Sequence, residues 1–118
     1  MKTLVFGAST NPARYSYLAL ERLKAYNHEI VAIGGRAAEV MGLTIQTGHP
    51  KIEDLHTITM YMGEKRQADH EDYLLSLNPK RIIFNPGAEN PSLYRRAKEQ
   101  GIEVLEACTL VMLNSRQY

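Results

Sequence analysis

A short apolar run, Thr3-Leu4-Val5-Phe6, breaks directly into Gly7-Ala8-Ser9-Thr10-Asn11-Pro12, and this junction constrains the fold more than any other segment. A buried strand feeding glycine and small residues, then a helix, is how open α/β sheets hold phosphates. The glycine lets backbone approach a pyrophosphate, and the helix start offers free N–H groups at the positive end of its dipole. The phrase returns near the end of the chain, where Arg81-Ile82-Ile83-Phe84 leads into Asn85-Pro86-Gly87-Ala88-Glu89-Asn90-Pro91. Each copy runs Gly-Ala, one or two residues, Asn-Pro, two residues, then Tyr15 or Tyr94. Asn followed by Pro predicts a helix start in both places, with Asn as cap and Pro in the first helical position.

At 118 residues the chain is long enough for one domain and too short for two. A net charge of +1 argues against nucleic-acid binding through a broad basic surface, so any anion site must be local. No apolar run reaches membrane-spanning length or resembles a signal peptide, and the single cysteine, Cys108, excludes an internal disulfide. These features fit a cytoplasmic protein. A homodimer is compatible with so small a domain but has no specific signal behind it.

Strand and helix signals alternate along the chain. The first strand, Thr3 to Phe6, precedes a helix from near Arg14 to Tyr26, with Ser16, Ala19, Leu20, Leu23 and Tyr26 on its inner face. The second strand, Glu29 to Ile33, stops at Gly34-Gly35-Arg36. The polar stretch that follows contains Leu43-Thr44-Ile45, a small extra strand or merely loop. The third strand is Thr57 to Met62, closed by Gly63, and a helix follows from about Gln67 to Leu77. The fourth strand is Arg81 to Phe84, its helix runs from Pro91 to Gln100, and the fifth strand is Ile102 to Leu105. A last helix over Cys108 to Ser115 should turn Leu110, Val111 and Leu113 inward. Five strands separated by helices predict a single α/β, Rossmann-like, three-layer domain over residues 1–118: a five-stranded parallel sheet in the order 3-2-1-4-5 with helices on both faces. In that order the turns after strands one and four form two lips of the crevice at the switch point.

The first turn, Gly7 to Pro12, then reads as a phosphate cradle helped by the Ser9 and Thr10 hydroxyls; its plain alternative is a tight strand-to-helix turn. It has neither the Gly-x-Gly-x-x-Gly spacing of dinucleotide enzymes nor that of triphosphatases. An NAD site would place Asp or Glu after strand two, where this chain has Arg36. The planar fork of an arginine suits a phosphate on a ribose, in NADP or in coenzyme A, unless Arg36 is simply solvated. The Asn85 and Asn90 amides offer directional hydrogen bonds at the second turn, from which Glu89 would repel a phosphate. Lys65 or Arg66 could reach one. Met60-Tyr61-Met62 reads as core strand, and the four histidines show no metal-ligand spacing. Cys108 reads as a small buried residue in preference to a nucleophile, because no histidine neighbours it in sequence.

These residues resemble the small single-domain CoA-binding proteins, whose nucleotide-binding unit is similar to the CoA-binding domain of succinyl-CoA synthetase. The resemblance spans nearly the whole chain. It rests on Val5 to Ser9 with Pro12 to Ser16, on Gly42 and Ile45, on Phe84 to Asn90, and on Cys108 after strand five. It implies coenzyme A as ligand, with Gly7, Ala8, Ser9, Arg14, Ser16, Gly34, Gly35, Arg36, Tyr61, Met62 and Gly63 near it. Members commonly carry Val-Asn-Pro after strand two, where this chain has Ile33-Gly34-Gly35. The family has no agreed reaction, so the expectation is a binding module for coenzyme A or an acyl-CoA without catalytic machinery. An NADP-dependent reductase or sensor and a ligand-free interaction domain remain the alternatives. A sharper expectation is a reversible mixed disulfide between Cys108 and the CoA thiol.

Overall fold

The first strand, β1 (Thr3–Phe6), is buried at all four residues because both its faces are covered and both its edges are paired. The structure, a computed structural model, describes residues 1–118. The other strands are β2 (Ile30–Ile33), β3 (Ala38–Val40), β4 (Leu43–Gln46), β5 (Thr57–Met60), β6 (Arg81–Phe84) and β7 (Glu103–Glu106). The helices are α1 (Tyr15–Ala25), α2 (Glu64–Gln67), α3 (Glu71–Ser76), α4 (Pro91–Glu99) and α5 (Thr109–Asn114), with a 3-10 turn at Ala68–His70.

One seven-stranded sheet results, in the order β3-β4-β2-β1-β5-β6-β7. All pairs are parallel except β3 with β4. This corrects the predicted five strands and their order. The third expected strand, now β5, pairs with β1, and the five expected strands run 2-1-3-4-5. The place outside β2 belongs to β4, the segment left open as strand or loop. Met41 (φ 52°) and Gly42 (φ 76°) both adopt left-handed backbone between β3 and β4, the geometry of a tight hairpin turn. β4 then turns Ile45 into the core and Thr44 and Gln46 outward, as an edge-ward strand should.

Side-chain alternation sends β1 into two cores. Leu4 and Phe6 join Ile58, Met60, Ile82 and Phe84 under α3 and α4. Val5 joins Ala32 and Ile45 under α1 and α5, through Leu20, Leu23 and Leu113. Burying each such side chain contributes about 1.5–3 kcal/mol, so β1 holds both layers.

Several local expectations are adjusted. Tyr26 lies outside α1 and is 50% exposed. The helix expected over Gln67 to Leu77 is split into α2, the 3-10 turn and α3. The side chain of Gln67, fully buried, bonds sideways to Met62 O (2.7 Å) and Ala88 O (2.8 Å) and ties the first piece down separately. In α5 the inward residues are Thr109, Met112 and Leu113, while Val111 is 61% exposed. Its phase is set by Thr109, whose N–H donates to Asn85 Oδ1 (2.8 Å) and whose hydroxyl pairs with Thr59 (2.7 Å).

Burial holds His28, His56 and His70 below the ordinary imidazole range, helped respectively by the N-terminal amine, Arg81 and His49. His70 Nδ1 lies 2.7 Å from His49 Nε2, and its ring stands edge-on to Phe6 at 5.2 Å. A histidine with a lowered folded pKa takes its proton first in the unfolded chain, so its stabilisation is complete above about pH 6.5 and is lost as pH falls further. The melting temperature should therefore hold steady from pH 8 to about 6.5 and decline towards pH 5, with a shallower decline in His70→Gln. Thermal melts across that range check this, and a melting temperature that rises on acidification contradicts it.

Candidate functional site

The turn after β1 is locked by backbone alone. The N–H groups of Gly7 and Ala8 both donate to Ile33 O at 2.9 Å, at the end of β2. On the other side, Tyr61 N–H donates to Phe6 O at 2.8 Å. Gly7 has φ of +99°, and a Cβ there would lie 2.9 Å from Met62 N. Its glycine therefore serves both the left-handed turn and the approach of the chain after β5. Gly34 is tighter still: a Cβ there would lie 2.3 Å from the Ala8 carbonyl oxygen. The ends of β2, β1 and β5 thus meet in van der Waals contact at one edge of the sheet, where the strand order reverses.

The chain then enters α1 at Tyr15, close to the expected start near Arg14 but without the expected cap. Asn11 does not cap it: Asn11 Oδ1 accepts from Ala13 N–H (3.0 Å), and Ser9 Oγ accepts from Asn11 N–H (3.0 Å). The cap position falls to Arg14, which makes no side-chain capping bond. The backbone N–H groups of Ser9, Thr10, Tyr15 and Ser16 consequently make no hydrogen bond within the protein. All four residues line a cavity of about 520 Å³, within the range of small-ligand sites.

Twelve of the residues expected near a ligand line this cavity: Gly7, Ala8, Ser9, Thr10, Arg14, Tyr15 and Ser16 from the first turn and α1, Gly35 and Arg36 after β2, Tyr61 and Met62 after β5, and Pro86. Arg66 of α2, Ala38 and Ile45 complete the lining. Arg66 was legible as one of two cations, with Lys65, that could reach a phosphate, and Ala38 carries no sequence signal for a site. No carboxylate lines the cavity, and none of Arg14, Arg36 and Arg66 belongs to an ion pair. The Tyr61 hydroxyl is buried without a hydrogen-bond partner, and burial pushes its pKa well above the ordinary phenol range.

The remaining expected residues lie elsewhere. Asn11, Pro12, Gly34 and Gly63 shape the turns without lining the cavity. The second Gly-Ala turn is not a facing lip, because β5 stands between β1 and β6; only Pro86 reaches the cavity. Asn85 is buried and bonds Thr59, Met60 O and Thr109 N–H, docking α5. Asn90 caps α4 as expected, accepting from Leu93 N–H (3.3 Å), and donates to Gln67 and Glu71. Gly87 turns the chain at φ of +91°, its N–H donating to Glu89, while Ala88 is buried and accepts from Gln67. Glu89 is thus folded onto its own turn. Cys108 is half-buried at the cap of α5 and does not line the cavity.

A family model described as a CoA binding domain matches residues 1–114. The crystal structure of an uncharacterized protein is 46% identical, with a TM-score of 0.96, covering 99% of this chain and 97% of that one. A Thermus thermophilus protein gives a TM-score of 0.86 at 19% identity, covering 99% and 90% of the two chains. A conserved hypothetical protein from Pyrococcus furiosus gives 0.79 at 23% identity, covering 96% and 97%. At these lower identities the likeness is one of fold. No curated protein matches significantly.

The two adjacent glycines should respond differently to a methyl group. Gly34→Ala must push the Ala8 carbonyl aside, at a cost of about 1–3 kcal/mol, or roughly 5–10 °C of melting temperature for a domain this size. Gly35→Ala meets only the Arg66 guanidinium at an ordinary 3.5 Å and should melt like the parent. Equal melting temperatures for the two variants would contradict the close approach.

Proposed function

The chain belongs to the CoA-binding domain family, and on that premise we propose that it binds coenzyme A or an acyl-CoA in the cavity at the ends of β1, β2 and β5. The observation that carries this reading is charge. Three unpaired guanidiniums, Arg14, Arg36 and Arg66, surround one cavity together with free backbone N–H groups and no carboxylate. Such a site has no use for a neutral ligand and is built for one with several anionic groups.

The ligand's parts map onto the lining by chemistry. The diphosphate rests against the Ser9 and Thr10 N–H groups and the start of α1, where the helix dipole and Arg14 favour negative charge. The ribose falls towards the end of β2, as in other open α/β sheets, so that its 3′-phosphate meets Arg36. Ala38 and Ile45 supply apolar surface beside Arg36 for the adenine ring. The role is binding, in the cytoplasm, with Cys108 as a free thiol outside the cavity.

Isothermal titration calorimetry with coenzyme A, dephospho-CoA, NADPH and NADH tests the reading. Coenzyme A should bind at least tenfold more tightly than dephospho-CoA. A charge-assisted phosphate contact is worth about 1.5–3 kcal/mol, so Arg36→Ala should weaken coenzyme A by roughly 10- to 100-fold. Arg14→Ala should weaken coenzyme A and dephospho-CoA alike, because both carry the diphosphate. A preference for NADPH, or no binding of coenzyme A, would overturn the assignment. Gly7→Val is a poor probe, since its side chain meets the Met62 backbone and unfolds the turn before it blocks a ligand.

A further inference from the structure

Arg66 is carried by the chain after β5, yet its guanidinium lies on the opposite lip. Its Nη2 would lie 3.5 Å from a Cβ placed on Gly35, which follows β2 and precedes Arg36. β1 stands between β2 and β5, so the side chain spans the crevice above it. No carboxylate draws it there, for neither Arg66 nor Arg36 is in an ion pair. Arg66 and Arg36 thus line one cavity from chain segments on either side of β1, with the Arg66 guanidinium beside the residue that precedes Arg36.

We propose that Arg66 and Arg36 grip one and the same outlying phosphate of the ligand from the two sides of the crevice, Arg66 being the residue that closes the site across β1. The proposal rests on the nucleotide reading above and adds to it the residue that sets selectivity. A terminal phosphate presents three oxygens and accommodates two planar forks. The diphosphate is served elsewhere, by the first turn and Arg14, so the phosphate left for this pair is the one on the ribose.

The position of Arg66 is built in. Its own N–H donates to Gly63 O (3.1 Å), and the next residue, Gln67, is fully buried. Gln67 donates to Met62 O and Ala88 O and accepts from Asn90 Nδ2 (2.9 Å). The second Gly-Ala turn therefore serves the site indirectly: Ala88 and Asn90 hold Gln67, and Gln67 holds the short helix from which Arg66 reaches. Because the backbone is already fixed, binding has only one side chain to order, and less of the contact is spent on ordering. Gln67 is a positioning residue and does not touch the ligand.

Calorimetric titrations of the full chain with coenzyme A and dephospho-CoA, and with NADPH and NADH, decide the matter. They need the parent, Arg36→Ala, Arg66→Ala, the double variant and Arg66→Lys. Both arginines are exposed, so each variant should melt like the parent. Arg66→Ala should weaken coenzyme A about tenfold and leave dephospho-CoA within about twofold. The double variant should lose less than the product of the single losses, as expected of two groups sharing one partner. Arg66→Lys keeps charge without the fork and should restore only part of the loss. Equal weakening of coenzyme A and dephospho-CoA would place Arg66 on the diphosphate and overturn the proposal. So would independent, multiplicative losses, or no loss at all. If the parent ignores coenzyme A but prefers NADPH to NADH, the coenzyme A reading fails. The paired grip then survives only if Arg66→Ala abolishes that preference, and a parent that binds none of the four overturns both.

Discussion

The contact of the Ala8 carbonyl with Gly34 and of Gly7 with the Met62 backbone sets the shape of the whole carboxyl edge of the sheet. Three strand ends can come this close only where two of them lack side chains. The compression leaves the first turn no freedom to fold back over itself, so the N–H groups of Ser9 and Thr10 stay unpaired. It also brings the residues after β2 and β5 within a side chain's length of each other across β1. The cavity, its free donors and the arginines that line it are all built around a backbone contact in which no side chain takes part.

The sequence signals that located the first turn were local ones, and they held. An apolar strand, a glycine and small residues specify a strand-to-helix turn without reference to the rest of the chain. Arg36 was equally readable as a residue at the end of the second strand, and it lines the same cavity as the first turn. The strand order was not local. Thr57–Met60 is fully buried and carries apolar or threonine residues on both faces, as a central strand must. Leu43–Gln46 alternates exposed with buried positions, as a strand nearer the edge does. That contrast was present in the sequence, but a four-residue alternation beside a Met-Gly turn gives too weak a signal to displace a longer run. Placing the longer run outside the second strand put the second Gly-Ala turn beside the first.

The two copies of Asn-Pro show how one local phrase takes different structures under different tertiary demands. Asn90 has a buried anchor: its amide is held by Gln67 and Glu71, which leaves its oxygen free to cap α4. Asn11 is exposed, with no such anchor, and its side chain instead bonds the backbone two residues on. That local turn delays α1 to Tyr15 and brings Arg14 to the helix start. Had Asn11 capped the helix as Asn90 does, its side chain would take the Arg14 N–H, which now donates to the Asn11 carbonyl at 3.0 Å. The difference between the copies separates a turn packed into the protein from one that lines the cavity, and it lies in the third dimension.

Charge pairing follows the same division. Around Asn90 the structure uses its ions on itself: Glu71, nearly buried, takes Arg96, Ser92 and Asn90, and Arg96 also takes Asp72. Removing Arg96, Ser92 or Asn90 would leave the buried Glu71 carboxylate short of a partner, which costs more than the bond itself contributes. Arg14, Arg36 and Arg66 stand at the opposite extreme, exposed and unpaired, so water solvates them and their mutual repulsion is weak at no great cost to folding. A chain whose net charge is only +1 thus concentrates positive charge in one crevice by leaving carboxylates out of the lining. The network that pairs its own charges is the one that fixes Gln67, and through it the reach of Arg66. The internal polar network and the cavity lining therefore meet in neighbouring residues of one short helix, Gln67 turned inward and Arg66 turned out across the crevice.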